Sequence, residues 1–247
     1  MSSHFNPDPA VSPWDLVQPW DVELVGEEIL DKAGQDLWEQ AFAIGGGLPY
    51  IWSQLARPVA DVIYGLLEVR PGDRVLIIGE AVEPSLWAKD IEKIVGPDGH
   101  VEVHEIIRQG RAAIHNNTAG RTGVRGTWEW DYSYGDPDDS YDSVGVLQST
   151  QHCDDWTETS RELVRVLKPG GRIVLAEAVL AGPTFHERIN ADVHIRTWYT
   201  KLFSKIRPED VPYYSPEQLR EAFTPLVEGL QTMEWHGIEM LWGRKPA

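Results

Sequence analysis

Between Arg74 and Glu177 the chain alternates short apolar runs with stretches of helical spacing, and this alternation constrains the fold more than any other feature of the sequence. After Pro71-Gly72-Asp73, RVLII is a β-branched apolar run ending at Gly79, the signature of a parallel strand buried on both faces. A helix with Trp87, Ile91 and Ile94 on its apolar side follows, stopped by Gly96-Pro97. HVEVHE then predicts a strand, IIRQGRAAI a short helix, and GTWEWD and DSVGVLQ two further strands. DWTETSRELVRVLKPGG predicts an amphipathic helix carrying Leu163, Val166 and Leu167 on one side and terminated by its glycine pair, and RIVLAE predicts the next strand. Strands separated by helices mean βαβ units and a mostly parallel sheet.

The flanks differ. Residues 1 to about 20 are rich in proline and aspartate, with isolated Trp14 and Trp20, and read as an arm or lid. Leu30, Ala33, Leu37 and Ala41 recur at helical spacing before Gly45-Gly46-Gly47, and a second helical stretch carries Ile51, Leu55, Val59, Ile63 and Leu66, with Pro58 opening a new segment. Beyond the sheet region, residues 184 to about 206 predict a long helix. Ser215-Pro216-Glu217-Gln218 marks another helix start, and two final strands hinge near Gly237, the last alternating Ile238, Met240 and Trp242 with Glu239, Leu241 and Gly243. The expected division is an N-terminal arm and helical lid over 1–57 and an α/β domain over 58–247, with a cap insertion at about 182–214.

Composition narrows the partners. With 22 basic and 39 acidic residues the net charge is −17, and no dense Lys/Arg tract interrupts it, which argues against nucleic acid or an anionic membrane as the main partner. No apolar run reaches membrane-spanning length, and the first twenty residues lack the basic and apolar regions of a secretory signal. The single cysteine, Cys153, forms no intrachain disulfide and no cysteine-rich zinc motif, and it reads as a small packing residue; the expected location is the cytoplasm. The sequence leaves open whether the chain works alone or as a homodimer.

In order and spacing, RVLIIGEAVEPS, GHVEVHEI, GTWEWD, YDSVGVLQSTQHCDDW and RELVRVLKPGGRIVLAE together resemble the class I S-adenosylmethionine-dependent methyltransferases, and most of all their quinone and small-molecule C- and O-methyltransferase branch. The resemblance covers about residues 58 to 247. Its most specific part is the last block, where YDSV, the following QH and RVLKPGGRIVLAE match the family's fourth strand, the loop after it and the helix-turn-strand beyond. It implies a Rossmann-like, doubly wound, mostly parallel seven-stranded sheet with an antiparallel last strand, a helical N-terminal extension and a helical cap between strands 5 and 6.

The resemblance also implies S-adenosylmethionine as cofactor, bound along Gly79, Glu80, Ala81, Glu105, Asp131, Tyr132 and Gln148. Glu105, closing HVEVHE, matches the acid that accepts the ribose hydroxyls, and Asp131 matches the acid that receives the adenine amino group, with Tyr132 flanking the ring. Each carboxylate also has a plainer reading, Glu105 as a surface residue at a strand end and Asp131 as a turn residue. The chain departs from the family at the first turn: Ile77 stands where the acid is expected, and Ala81 and Glu83 stand at the next two glycine positions. One reading is a modified cofactor turn. The other is a simple strand-to-helix connection in which Glu83 and Pro84 start the helix.

Four residues are catalytic candidates. His152 falls at the crevice edge after the fourth strand, where an imidazole titrating near neutrality can accept a proton; the alternative is a cap on the next helix. His186, Asn190, His194 and Thr197 share one face of the predicted cap helix, which either lines a pocket or faces solvent, and His186, His194 and Tyr199 stand in reserve as bases. No metal site is expected, since His186 and His194 lie about 12 Å apart along a helix. The chain's 11 Trp, 8 Tyr and 5 Phe, many outside the sheet, favour an aromatic or otherwise apolar small acceptor. Methyl transfer to its oxygen or carbon is the leading expectation. The alternatives are a lyase, isomerase or cyclase that keeps the fold without transferring methyl groups, and a non-catalytic binding protein.

Overall fold

The computed structural model describes residues 57–79, 83–105, 122–125, 135–147, 153, 155–178, 216–235 and 238–247. The expected arm and lid, the helix IIRQGRAAI and the cap lie outside them.

Seven strands form one sheet: β1 (Arg74–Gly79), β2 (His100–Glu105), β3 (Gly123–Arg125), β4 (Tyr141–Leu147), β5 (Leu167–Ala178), β6 (Glu228–Trp235) and β7 (Ile238–Arg244). Their spatial order is β3-β2-β1-β4-β5-β7-β6. β1 through β5 pair in parallel, and β7 runs antiparallel to both β5 and β6, as the sequence predicts for the last strand. The order reverses at β1, with β2 on one side and β4 on the other, so the switch point of the sheet falls at the carboxyl ends of β1 and β4.

Among the described residues four helices cover the sheet: α1 (Arg57–Leu67), α2 (Glu83–Val95), α3 (Trp156–Val166) and α4 (Pro216–Phe223). Alternation along each strand divides the core. Val75, Ile77, Val101, Val103 and Val174 pack with Ala60, Ile63 and Leu67 of α1 and with Trp87, Ala88 and Ile91 of α2. Leu76, Ile78, Val144, Val146, Ile173 and Leu175 pack on the other face with Leu163 and Val166 of α3 and with Leu219 and Phe223 of α4. Aromatic contacts tie the helices pairwise, Tyr64 edge-on to Trp87 at 5.6 Å and Trp156 against Phe223 at 6.0 Å.

Local chemistry fixes the helix ends. Gly96, with φ 69°, closes α2 by donating its N–H to the Glu92 carbonyl at 3.1 Å. Asp155 caps α3, its side chain accepting from the N–H groups of Thr157 and Glu158 at 2.8 and 3.3 Å. Pro216 opens α4 as expected.

One expected boundary moves, and one short strand lies ahead of a strand the sequence predicts. α3 stops at Val166 rather than at the glycine pair, because Pro169 disfavours a helical residue before it and Leu167 is already extended at φ −72°, ψ 141°. The glycines serve β5 instead: Gly170 takes φ 77°, and a Cβ on Gly171 would stand 2.7 Å from the Lys168 carbonyl and 3.0 Å from that of Asp142. The third strand is Gly123–Arg125, ahead of GTWEWD, which lies outside the described residues. Gly123 pairs with Glu102, whose buried carboxylate occupies the space a side chain there would need, so the ladder starts at the residue that has none.

Candidate functional site at the carboxyl edge of the sheet

The three central strands end level with one another. Gly79 of β1 is in register with Glu105 of β2 on one side and with Leu147 of β4 on the other. A residue without a side chain therefore ends the central strand, beside a strand-terminal glutamate, and α2 begins at Glu83 after a connection of only three residues. In parallel sheets of this order, ligands bind at such strand ends. Ile77 is fully buried in the α1–α2 core, so apolar packing fills the position where the family carries an acid. Glu83 and Pro84 open α2, as the strand-to-helix reading of this turn predicts; the start of the helix is compatible with a ligand in front of it as well.

Of the other expected site residues, Glu80, Ala81, Asp131, Tyr132, Gln148, His152, His186, His194 and Tyr199 lie outside the described residues. Two neighbours of His152 are described. Cys153 is buried with its thiol donating to Thr159 Oγ1 at 3.0 Å, a packing role, and the N-cap position of α3 is taken by Asp155.

A residue with no assigned role in the sequence stands at the same edge. His104, next to Glu105, is fully buried on the face covered by α3, and its Nε2 lies 3.9 Å from Oδ2 of Asp136, itself 8% exposed. The available signal was the alternation in HVEVHE: His100, Glu102 and His104 share one face of a strand that parallel packing would make apolar on both.

The opposite edge is a charged base. Around a cleft of about 200 Å³, Lys168 reaches both oxygens of Asp142 at 2.8 Å, and Glu68 pairs with Arg172 at 2.9 Å and with Arg244. Burial there raises the Asp73 carboxyl above its ordinary range and lowers Arg172. Asp142, Glu68, Lys168, Arg172 and Arg244 pair with one another, and the Asp73 carboxylate accepts from the Arg70 N–H at 2.7 Å, so the cleft reads as a fastening for the sheet. Among the described residues no group of His, Cys, Asp and Glu is arranged to hold a metal ion, and no helix is long and apolar enough to cross a membrane.

Known proteins share this fold and part of this sequence. Residues 132–175, running from the end of GTWEWD through β4 and α3 into β5, match the model of the methyltransferase domain family. A methyltransferase from Aquifex aeolicus, described as S-adenosylmethionine-dependent, superposes with a TM-score of 0.57 at 14% identity, over 85% of this chain and 98% of that one. The chain is 28% identical over 142 residues to the ubiquinone/menaquinone biosynthesis C-methyltransferase UbiE of Vibrio parahaemolyticus, covering 54% of this chain and 49% of the relative. It is also 28% identical over 123 residues to the 27-O-demethylrifamycin SV methyltransferase of Amycolatopsis mediterranei, covering 49% and 44%. The chain thus spans about half the length of these curated relatives. Over these stretches the chain is similar to S-adenosylmethionine-dependent methyltransferases of small molecules, UbiE among them, and the superposed structure shows that it has their fold.

Proposed function

We propose that the protein transfers a methyl group from S-adenosylmethionine to oxygen or carbon of a small apolar or aromatic acceptor, in the cytoplasm. The observation that carries this reading is the register of Gly79 with Glu105 at the switch point of the sheet, joined directly to the family-matched segment. These residue types suit the cofactor: a glycine at the end of the central strand lets a ligand approach backbone, and by family resemblance Glu105 accepts the ribose hydroxyls. When bound, S-adenosylmethionine supplies an electrophilic methyl group. By family resemblance, Asp131 and Tyr132 receive the adenine and Glu80, Ala81 and Gln148 complete the pocket. His152 is the first candidate to take the acceptor's proton, and His186, His194 and Tyr199 are the reserves. Orientation of the acceptor and removal of one proton are what the chain itself must provide.

A second reading keeps the crevice but not methyl transfer, and the buried Ile77 together with Glu83 at the first position of α2 favours it. The two readings separate when the protein is incubated with S-adenosylmethionine carrying a labelled methyl group and an organic extract of small metabolites. Label appearing in an apolar product, and falling about a hundredfold or more in His152→Ala with cofactor affinity retained, supports methyl transfer with His152 as base. Conversion of an acceptor without label and without the cofactor supports the second reading.

A further inference from the structure

The cleft at the amino edge of the sheet carries its charges unevenly. Its cationic side chains are Arg70, Lys168, Arg172 and Arg244, and its acidic ones are Glu68, Asp73 and Asp142. Lys168 sits on Asp142, close enough to Asp73 for both to act on its carboxyl. On the other side three guanidiniums converge on the single carboxylate of Glu68: Arg172 at 2.9 Å, Arg70 at 3.5 Å, and Arg244 in direct contact. One carboxylate cannot neutralise three guanidiniums. In a chain of net charge −17 this local positive excess runs against the overall composition.

Hydrogen bonding points the same way. A guanidinium has five N–H donors and accepts nothing. Arg172 gives Nε to the Leu66 carbonyl at 2.8 Å and Nη2 to Glu68, and Arg244 gives Nη1 to the Gly170 carbonyl at 3.0 Å and Nη2 to Glu68. With Arg70 on the same carboxylate, the donors outnumber the acceptors that the described residues offer them. Arg172 is only 17% exposed, so water makes up little of the difference for it. Burial, joined by the charge of Arg244, lowers its pKa more than Glu68 raises it, which marks a cation short of negative charge. An arginine keeps its proton even so, and the shortfall persists.

We propose that the Glu68 side of this cleft is a binding site for a small oxyanion, a phosphate or a phosphate monoester, held by Arg70, Arg172 and Arg244. Planar guanidiniums match phosphate oxygens in paired hydrogen bonds, and a cleft of about 200 Å³ has room for such an ion. Glu68 then has two opposed effects: it ties the guanidiniums together, and it repels the anion they would hold. A bound oxyanion bridges the end of α1, the start of β5 and the end of β7, so it stabilises the folded chain. The occupant is a small free ion rather than an anionic membrane, because an extended negative surface meets the repulsion of the whole acidic chain. The site lies at the edge of the sheet away from Gly79 and Glu105, and it stands independently of the cofactor reading.

The test is titration calorimetry of the full chain with inorganic phosphate and, separately, with glycerol phosphate, near neutral pH and with chloride added to hold ionic strength constant. The unsubstituted protein is expected to bind one ion per chain with a dissociation constant of about 1 mM or below, the tighter of the two ligands telling free phosphate from a monoester. Arg70→Gln leaves the Arg172 and Arg244 pairs standing and is expected to weaken binding about threefold or more, with Arg70→Lys recovering part of the loss. Glu68→Gln removes the competing charge and is expected to tighten binding about threefold or more. Glu221→Gln makes the same change of net charge in a separate groove between α3 and α4, and should leave the affinity as it is. Opposite shifts in the Arg70 and Glu68 variants, with Glu221→Gln unchanged, support the site. Equal affinity in the unsubstituted protein, Arg70→Gln and Glu68→Gln overturns it, as do an equal gain in Glu68→Gln and Glu221→Gln and the absence of binding at about 10 mM ligand. If Glu68→Gln does not fold, Arg70 decides: a loss in the glutamine variant that lysine recovers supports the site, and an unchanged affinity overturns it.

Discussion

Glu68 and Arg172 join the end of α1 to the start of β5 through a 2.9 Å ion pair, and Glu68 takes a left-handed backbone, φ 53°, in this position. Arg244 of β7 binds the same carboxylate, and Arg172 Nε also donates to the Leu66 carbonyl at 2.8 Å. One side chain thus links three elements at the edge of the sheet away from the crevice.

Replacing Glu68 separates the value of the pairs from the cost of the backbone. Glu68→Ala loses both pairs and keeps the left-handed residue, so it should lower stability by about 1–2 kcal/mol, modest because the groups are partly exposed. Glu68→Gly loses the same pairs but relieves about 1 kcal/mol of backbone cost. Urea unfolding should therefore rank the glycine variant above alanine. The hydrogen bond from Arg244, followed by the charges of Arg172 and Arg244 against an opposing desolvation, holds the Glu68 carboxyl below its ordinary range. Its folded value being depressed, its contribution is present above the unfolded glutamate pKa and is lost as pH falls through the lowered value. The difference between the unsubstituted protein and Glu68→Gln should shrink in acid and not at neutral pH.

The glycine pair after Pro169 makes a second prediction. Gly170→Ala meets open space and pays only for φ 77°, about 1–2 kcal/mol. Gly171→Ala drives a Cβ against two backbone carbonyls that cannot turn aside, and should cost about 2–3 kcal/mol. Comparing their unfolding midpoints checks whether close approach or backbone conformation is the stricter demand.

How far the sequence reveals this molecule differs from element to element. RVLII was readable as the central strand because both faces are buried, leaving an unbroken apolar run. LKPGG was misread as a helix end because glycine is a strong terminator, whereas Pro169 acts two residues earlier and the glycines answer to strand packing. The end of β2 at Glu105 is legible in HVEVHE. The His104–Asp136 contact was not: it joins residues 32 positions apart, and Asp136 sits in a GDPDDS run that reads locally as a turn.

The altered turn gives a third prediction. Glu83 brings a negative charge to the first position of α2, in front of the expected cofactor, so Glu83→Gly should tighten binding of S-adenosylmethionine, read by equilibrium dialysis. An unchanged affinity would locate the cofactor away from this turn.

The account's central claim, that a nucleoside cofactor is held where β1 and β2 end side by side, is tested most directly by titrating S-adenosylhomocysteine into the unsubstituted protein and Glu105→Ala at one pH. The expected result is one site per chain in the unsubstituted protein and at least a tenfold loss of affinity in the variant, as removal of a charged hydrogen-bond acceptor requires. Equal affinity in the two proteins, or no binding by the unsubstituted chain at millimolar ligand, would contradict it.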